Sequence, residues 1–263
     1  MRKYFFIYKS EVMSSMAYVL NVLLRLVTFC FVIYVFMNLW NYIYDDPDKL
    51  INGYSKYQMI WYVIVTEIIW YSLEGRKLCK KITNDVKGGN IAYQINKPYS
   101  YIGYAISSHL GEITIKGLIS LIVGFTLGLI LMKWIPTLTF IQALIVFLSG
   151  ILAILIGSFL VTFIGLISFM IEDSVPIFWI YSKMVLILGT LFPIEFFPGV
   201  LSNIIKLTPI YVTCYGPAKL FVDFSYDKAF EIIIYQLIYL AFSSALCFML
   251  FRKGVKKLNV TGG

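Results

Sequence analysis

Residues 138–171 run for 34 positions without one charged side chain. Drawn as a single helix at 1.5 Å per residue the run is about 50 Å long, whereas the hydrocarbon core of a bilayer is roughly 30 Å thick. Such a segment crosses a membrane by tilting, kinking or projecting beyond it. Gly150, Gly157 and Gly165, with Ser149, Ser158 and Ser168, supply small residues where neighbouring helices approach closely. Further apolar stretches at about 17–40, 57–73, 106–132, 177–192 and 230–251 read as five more spans. Hydrophobic residues fill 60% of the 263 positions and charged ones 14%, where soluble domains carry roughly a quarter charged. The expected fold class is an all-α membrane protein of six transmembrane helices, forming one domain.

The polar segments between the spans set the orientation. The longest, 75–104, reads GRKLCKKITNDVKGGNIAYQINKPYSYIGY and sets Arg76, Lys77, Lys80, Lys81, Lys87 and Lys97 against one acid, Asp85. Loops rich in Lys and Arg beside a span stay in the cytoplasm. With this loop inside, 13 of the 22 Lys and Arg fall on inner segments and six on outer ones, and both termini are cytoplasmic. The loop has a pattern of its own. Leu78, Ile82 and Val86 share a helical face, Gly88-Gly89 stops that helix, and Ile91, Ala92 and Ile95 open a second short pattern that Lys97-Pro98 ends. Two readings stand: an orientation signal, or a docking element for a cytoplasmic partner.

At the N-terminus, Arg2, Lys3 and Lys9 stand among Tyr4, Phe5, Phe6, Ile7 and Tyr8. This predicts an amphipathic helix on the inner leaflet, with a plain extension of the first span as the alternative. Polar residues inside spans are costly and therefore informative. Asn21 and Arg25 lie in the first span, where Arg25 either snorkels to the inner interface or faces a polar path. Glu67 lies in the second, either hydrogen-bonded to a neighbouring helix or in such a path, and Lys183 lies in the fifth. Glu112 and Lys116 form a favourable i,i+4 pair near His109 at the inner edge of the third span. Residues 193–220 are apolar yet broken by Pro193, Pro198, Pro209 and Pro217. Irregular backbone survives at membrane depth only under protein cover or along a cavity, which predicts a re-entrant helical hairpin dipping from the outer face before the last span. An ordinary outer loop is the alternative.

Much chemistry is excluded. The net charge of +8 sits at membrane edges rather than on a soluble basic face, so no nucleic acid is expected as a partner. Cys30, Cys79, Cys214 and Cys247 lack the spacing of a disulfide framework or zinc site, and one histidine cannot build an HExxH helix. There is no P-loop for ATP, no serine elbow beside His109, and no set of acids at metal-ligand spacing. The expectation is a chain without catalytic or metal-binding residues.

The order of these parts, namely an N-terminal inner-face helix, six spans, a basic loop ending GNIAYQINKPYSYIGY and the broken stretch LFPIEFFPGVLSNIIKLTPI before the last span, resembles the ABC-2 type exporter permeases. It is most similar to the six-span permeases that work with a separately encoded ATPase. The resemblance implies a coupling helix in 80–92 that docks into the ATPase, carried by Lys80, Lys81, Ile82, Asp85, Val86, Gly88, Gly89, Asn90, Ile91 and Ala92. It implies two P-loop ATPase subunits carrying ATP and Mg, a second permease, identical or homologous, membrane lipid around the chain, and a bacterial plasma-membrane location. With it go a translocation path lined by Asn21, Arg25, Glu67 and Lys183, and an outer gate at Phe192, Pro193, Phe197 and Pro198. A hydrophobic or amphipathic cargo such as a drug, an antimicrobial peptide or a lipid suits the aromatic, mostly uncharged interior, and polysaccharide exporters share the fold. Two other classes stay open: a lipid-modifying membrane enzyme using Glu67, Glu112 and Lys116, and a non-transporting anchor that recruits a cytoplasmic protein.

Overall fold

The structure is a computed structural model that describes residues 2–17, 19–46 and 49–261. Among them the regular elements are helical, apart from one isolated bridge between Ile51 and Tyr54. Four helices are long and apolar enough to cross a bilayer. They are α2 (Val19–Ile43), α6 (Tyr101–Met132), α7 (Phe140–Leu166) with the 3₁₀ turn Ile167–Phe169 that follows it, and α11 (Tyr226–Thr261). A shorter apolar helix, Val175–Leu191, is built from α8 (Val175–Val185) and a π-helical turn, Leu186–Leu191. The chain is an all-α, multi-span membrane protein.

Among the longer helices the one packed most completely is α3 (Lys56–Leu73). Of its 18 residues 13 are buried, and Trp61 and Tyr62 expose nothing. It starts at a capping box, in which Ser55 and Gln58 each satisfy the other's backbone N–H. It is enclosed by α2, α6, α7 and the short α10 (Gly216–Val222). Because protein rather than lipid covers it, α3 accommodates Glu67, Thr66, Tyr62 and Ser72, which a lipid-facing helix would carry at a cost.

Close approach depends on missing side chains. A Cβ at Gly128 of α6 would collide with the Trp61 ring of α3, and one at Gly165 of α7 would come 2.9 Å from Ile82 Cβ. The N-terminal helix α1 (Arg2–Ala17) lies along the first turns of α6, where a Cβ at Gly111 would collide with the Tyr8 carbonyl. Small residues at helix contacts are what membrane packing calls for, since lipid supplies no hydrophobic drive between helices. Gly150, by contrast, faces open space.

Two helices run past the apolar stretches within them: α6 starts at Tyr101, right after Ser100, and α11 continues to Thr261. At the other extreme, α7 ends at Leu166 by tightening into the 3₁₀ turn.

Between Leu191 and Tyr226 the chain breaks into the 3₁₀ turn Ile194–Phe196, α9 (Gly199–Lys206), the π turn Tyr211–Tyr215 and α10. Prolines mark the breaks: Pro198 stands directly before α9, and Pro217 in the first turn of α10, where its missing N–H is not needed. Every residue from Tyr211 to Val222 is buried. Side chains serve two of the carbonyls around the π turns. Gln236 Nε2 donates to Val212 O at 2.9 Å and to Ser149 O and Oγ at 3.0 and 2.9 Å, and Tyr62 donates to Gly189 O at 2.6 Å.

Gly111→Ala is therefore expected to lower thermal stability in detergent by about 1–3 kcal/mol, the usual cost of overpacking. Gly150→Ala should stay within about 0.5 kcal/mol. Equal melting of the two variants would contradict the close α1–α6 contact.

Candidate functional site

The basic segment folds as α4 (Gly75–Lys87) and the six-residue α5 (Asn90–Ile95). One face of α4, formed by Leu78, Cys79, Ile82, Thr83 and Val86, is buried, and it packs on the C-terminal part of α7. Thr83 and Ser174 share a hydrogen bond of 2.6 Å, which ties α4 to the turn between α7 and α8. Burial pushes the Cys79 thiol up from its ordinary value, so it behaves as a small apolar group. Gly88 closes α4 by donating its N–H to Asn84 O at 2.8 Å, and Gly89 takes the left-handed φ of +71° that turns the chain into α5.

This divides the ten predicted docking residues in two. Ile82, Val86 and Ile91 are buried. Lys81 turns inward to Ser108 Oγ at 3.0 Å and over the Tyr104 ring, and Asp85 accepts from Tyr101 at 2.8 Å. These five fix the segment in place. Lys80, Gly88, Gly89, Asn90 and Ala92 are exposed, and Asn84, Lys87, Tyr93 and Ile95 extend the same outward surface. Tyr93, 70% exposed with Lys97 over its ring at 4.7 Å, is the largest side chain there. The short apolar pattern of α5 had pointed to its buried member, Ile91, and gave no sign that Tyr93 would face outward.

The junction between α3 and α4 is a single residue. Glu74 adopts the left-handed conformation, φ 44° and ψ 38°, which costs a non-glycine residue about 1–2 kcal/mol. Its carboxylate is ion-paired with Lys116 of α6. Lys116 also reaches Glu112 Oε1 at 3.1 Å, and Glu112 pairs in turn with Lys77 of α4. The Lys116 and Glu74 side chains are only 12% and 10% exposed, whereas Lys77 is 60% exposed. A second chain runs from Lys81 through Ser108 to Glu11 of α1, with Ser108 donating at 2.9 Å. The basic surface is thus bolted to α3, α6, α7 and α1.

Of the residues predicted for a path, Glu67 and Lys183 have described side chains, on α3 and α8. Glu67 is buried among helices, without a hydrogen bond or ion pair to any described residue. Lys183 is exposed on α8, its ammonium 5.9 Å from the Trp179 ring. The side chains of Asn21 and Arg25 lie outside the described ones.

At the opposite end the predicted gate residues join an aromatic cluster. Phe192 packs against Trp40, Phe196 and Phe197 at centroid distances of 5.9, 6.1 and 6.2 Å, Pro193 is buried, and Pro198 is exposed. The hub beside them is Lys219, only 5% exposed. It donates to Tyr54 Oη at 2.8 Å, pairs with Asp223 at 2.8 Å and Glu195 at 3.4 Å, and lies over the Tyr54 ring; Tyr215 also donates to Glu195, at 2.7 Å. Lys219 and Lys228 hold the Asp223 carboxyl below its usual range, and burial pushes the Tyr44 phenol up to about 12. By sequence Lys219 counted only as an outer charge; its partners lie as far as 165 positions away.

No cluster of three or more His, Cys, Asp or Glu able to hold a metal ion occurs among the described residues. Comparison with known families gives one match: the family model described as ABC-2 family transporter protein covers residues 29–262. No curated protein matches the chain.

Removing one partner of a buried pair leaves the other charge uncompensated and costs about 3–5 kcal/mol. Lys116→Met is expected to destabilise the protein in that range, measured by denaturant or thermal unfolding. Lys77→Met, whose side chain is solvated, should cost about 0–1 kcal/mol. Similar losses for both would show that Glu74 is not held by Lys116.

Proposed function

The chain belongs to the ABC-2 family of transporter proteins, and we propose that it is the membrane subunit of an ATP-driven exporter whose ATPase is a separate chain. The observation that carries the reading is the outward face of α4 and α5, basic and uncovered, mounted without slack on the central helix through Glu74 and Lys116. A surface made to receive force needs both properties: room for a partner, and a stiff connection inward. The partner is a P-loop ATPase, in two copies, which carries ATP and Mg.

In this reading six segments cross the bilayer: α2, α3, α6, α7, the α8 helix with its π turn, and α11. Both termini then lie in the cytoplasm of a bacterial cell, in keeping with the bias of Lys and Arg to the inner segments. The segment at 193–220 is a re-entrant hairpin on the outer side. ATP binding draws the two ATPases together, and α4 transmits the movement to α3 and α6 so that the permease rocks between inward and outward openings. The ATPase drives this only if it grips the two states with different affinity.

A second permease, identical or homologous, completes the exporter. Lys183, Asn21 and Arg25 line the translocation path, and Glu67, enclosed with α3, reaches it only when the helices around α3 part. The aromatic cluster around Phe192, Pro193, Phe197 and Pro198 is the outer gate, and the cargo is hydrophobic or amphipathic. The enzyme reading is weaker, because Glu67 makes no contact with Glu112 or Lys116.

The test is affinity purification of the tagged protein in mild detergent. A P-loop ATPase is expected to co-purify, and to be lost from Lys80→Glu/Lys87→Glu while the permease stays folded. Replacing Gly88-Gly89 with two alanines should uncouple ATP hydrolysis from transport, because Gly89 must hold a positive φ. A chain that purifies alone, fully folded, would contradict the proposal.

A further inference from the structure

One exposed face of α8 sets cations beside an apolar surface. An open groove of about 500 Å³ is lined by Trp179, Ile180, Lys183, Met184, Ile187 and Leu188. Lys183 lends the groove its aliphatic stem and carries its ammonium at the rim, and the lining has no carboxylate. A second cation reaches the same ring: the Arg76 guanidinium lies 4.8 Å from the centre of Trp179, on the side of the α3–α4 junction. Both cations are exposed, and each has the Trp179 ring as its neighbour rather than an acid.

The order along the groove carries the argument. The turn at Glu172 and Asp173 precedes α8, and Lys183 stands eight residues into the helix, about 12 Å along it. Beyond Lys183 the groove is purely apolar, through Met184, Ile187 and Leu188. Cations at the shallow end and hydrocarbon at the deep end reproduce the layout of an amphiphile in the inner leaflet. A cation facing outward from a helix at that depth calls for an anionic partner, because lipid tails give it none.

We infer that this groove binds an anionic amphiphile, its phosphate or carboxylate head held by Arg76 and Lys183 and its alkyl chain laid along Met184, Ile187 and Leu188. Trp179 sits where head meets tail, as amphipathic rings do at membrane interfaces. The assignment of this amphiphile as cargo rests on the exporter reading; its binding does not.

Brominated acyl chains quench tryptophan on contact, and this supplies the test. The purified protein in neutral detergent is titrated with dibrominated phosphatidylglycerol, dibrominated phosphatidylcholine or 9,10-dibromostearate. The Trp179 contribution is isolated by subtraction of a Trp179→Phe variant. Phosphatidylglycerol is expected to quench Trp179 at a lower mole fraction than phosphatidylcholine, by about fivefold for each cation engaged. Lys183→Gln with Arg76→Gln should erase the difference, and Lys183→Arg should keep it. Equal quenching by the two lipids, or a preference that survives loss of both cations, would overturn the inference.

Quenching by dibromostearate as strong as by phosphatidylglycerol would uphold the site as one for free anionic amphiphiles. Quenching by phosphatidylglycerol alone would uphold it as a site for a membrane phospholipid. Selective quenching in a chain that recruits no ATPase would leave the groove standing and the exporter reading fallen. An ATPase partner without selective quenching would leave the reverse.

Discussion

Everything else in this protein is arranged around the burial of α3. A helix with Trp61 and Tyr62 fully covered cannot face lipid, so its neighbours must close over it on every side. They do so by giving up side chains at the contacts, as at Gly128 of α6, where the Trp61 ring occupies the space a Cβ would need. Enclosure also lets α3 carry Glu67 and Thr66 at membrane depth, since the cost of a polar group depends on what surrounds it. The same helix ends at Glu74, whose left-handed turn is held by a nearly buried ion pair with Lys116. In the proposed exporter this junction is where a displacement of α4 passes to α3.

The two ends of the molecule are fastened differently. At the α4 end, ion pairs and hydrogen bonds join α4 to α6 and α1 through Lys77, Glu112, Lys81, Ser108 and Glu11. At the opposite end, aromatic rings pack around Trp40 and Phe196, and one buried lysine, Lys219, gathers Tyr54, Glu195 and Asp223. In the proposed exporter the first fastening transmits force, and the second, built of edge-to-face and tilted rings around one cationic hub, opens and closes.

Much of this was written locally in the sequence. The 3.6-residue spacing of Leu78, Ile82 and Val86 marked the buried face of α4, the Gly88-Gly89 pair marked its end, and the prolines from Pro193 to Pro217 marked the broken segment. The order of parts that resembles ABC-2 permeases agrees with the family match over residues 29–262. What could not be read depends on contacts between distant positions. Lys116 meets Glu74 across 42 residues, and Lys219 meets Tyr54 across 165. Hydropathy ranked the spans by how oily they are, which says nothing of how enclosed they become, so the central place of α3 was hidden. For the same reason Lys81 and Asp85, polar residues in the basic segment, read as partner-facing although their side chains bond within the protein.

The account's central claim is that the outward face of α4 and α5 is where a cytoplasmic ATPase takes hold. The most direct measurement replaces Tyr93 with a photo-crosslinking phenylalanine analogue in living cells, with Leu118 on the exposed side of α6 as the comparison site. The account expects Tyr93 to crosslink to a P-loop ATPase, and Leu118 to yield no such product. An ATPase captured from Leu118 and not from Tyr93, or none captured from either, would contradict it.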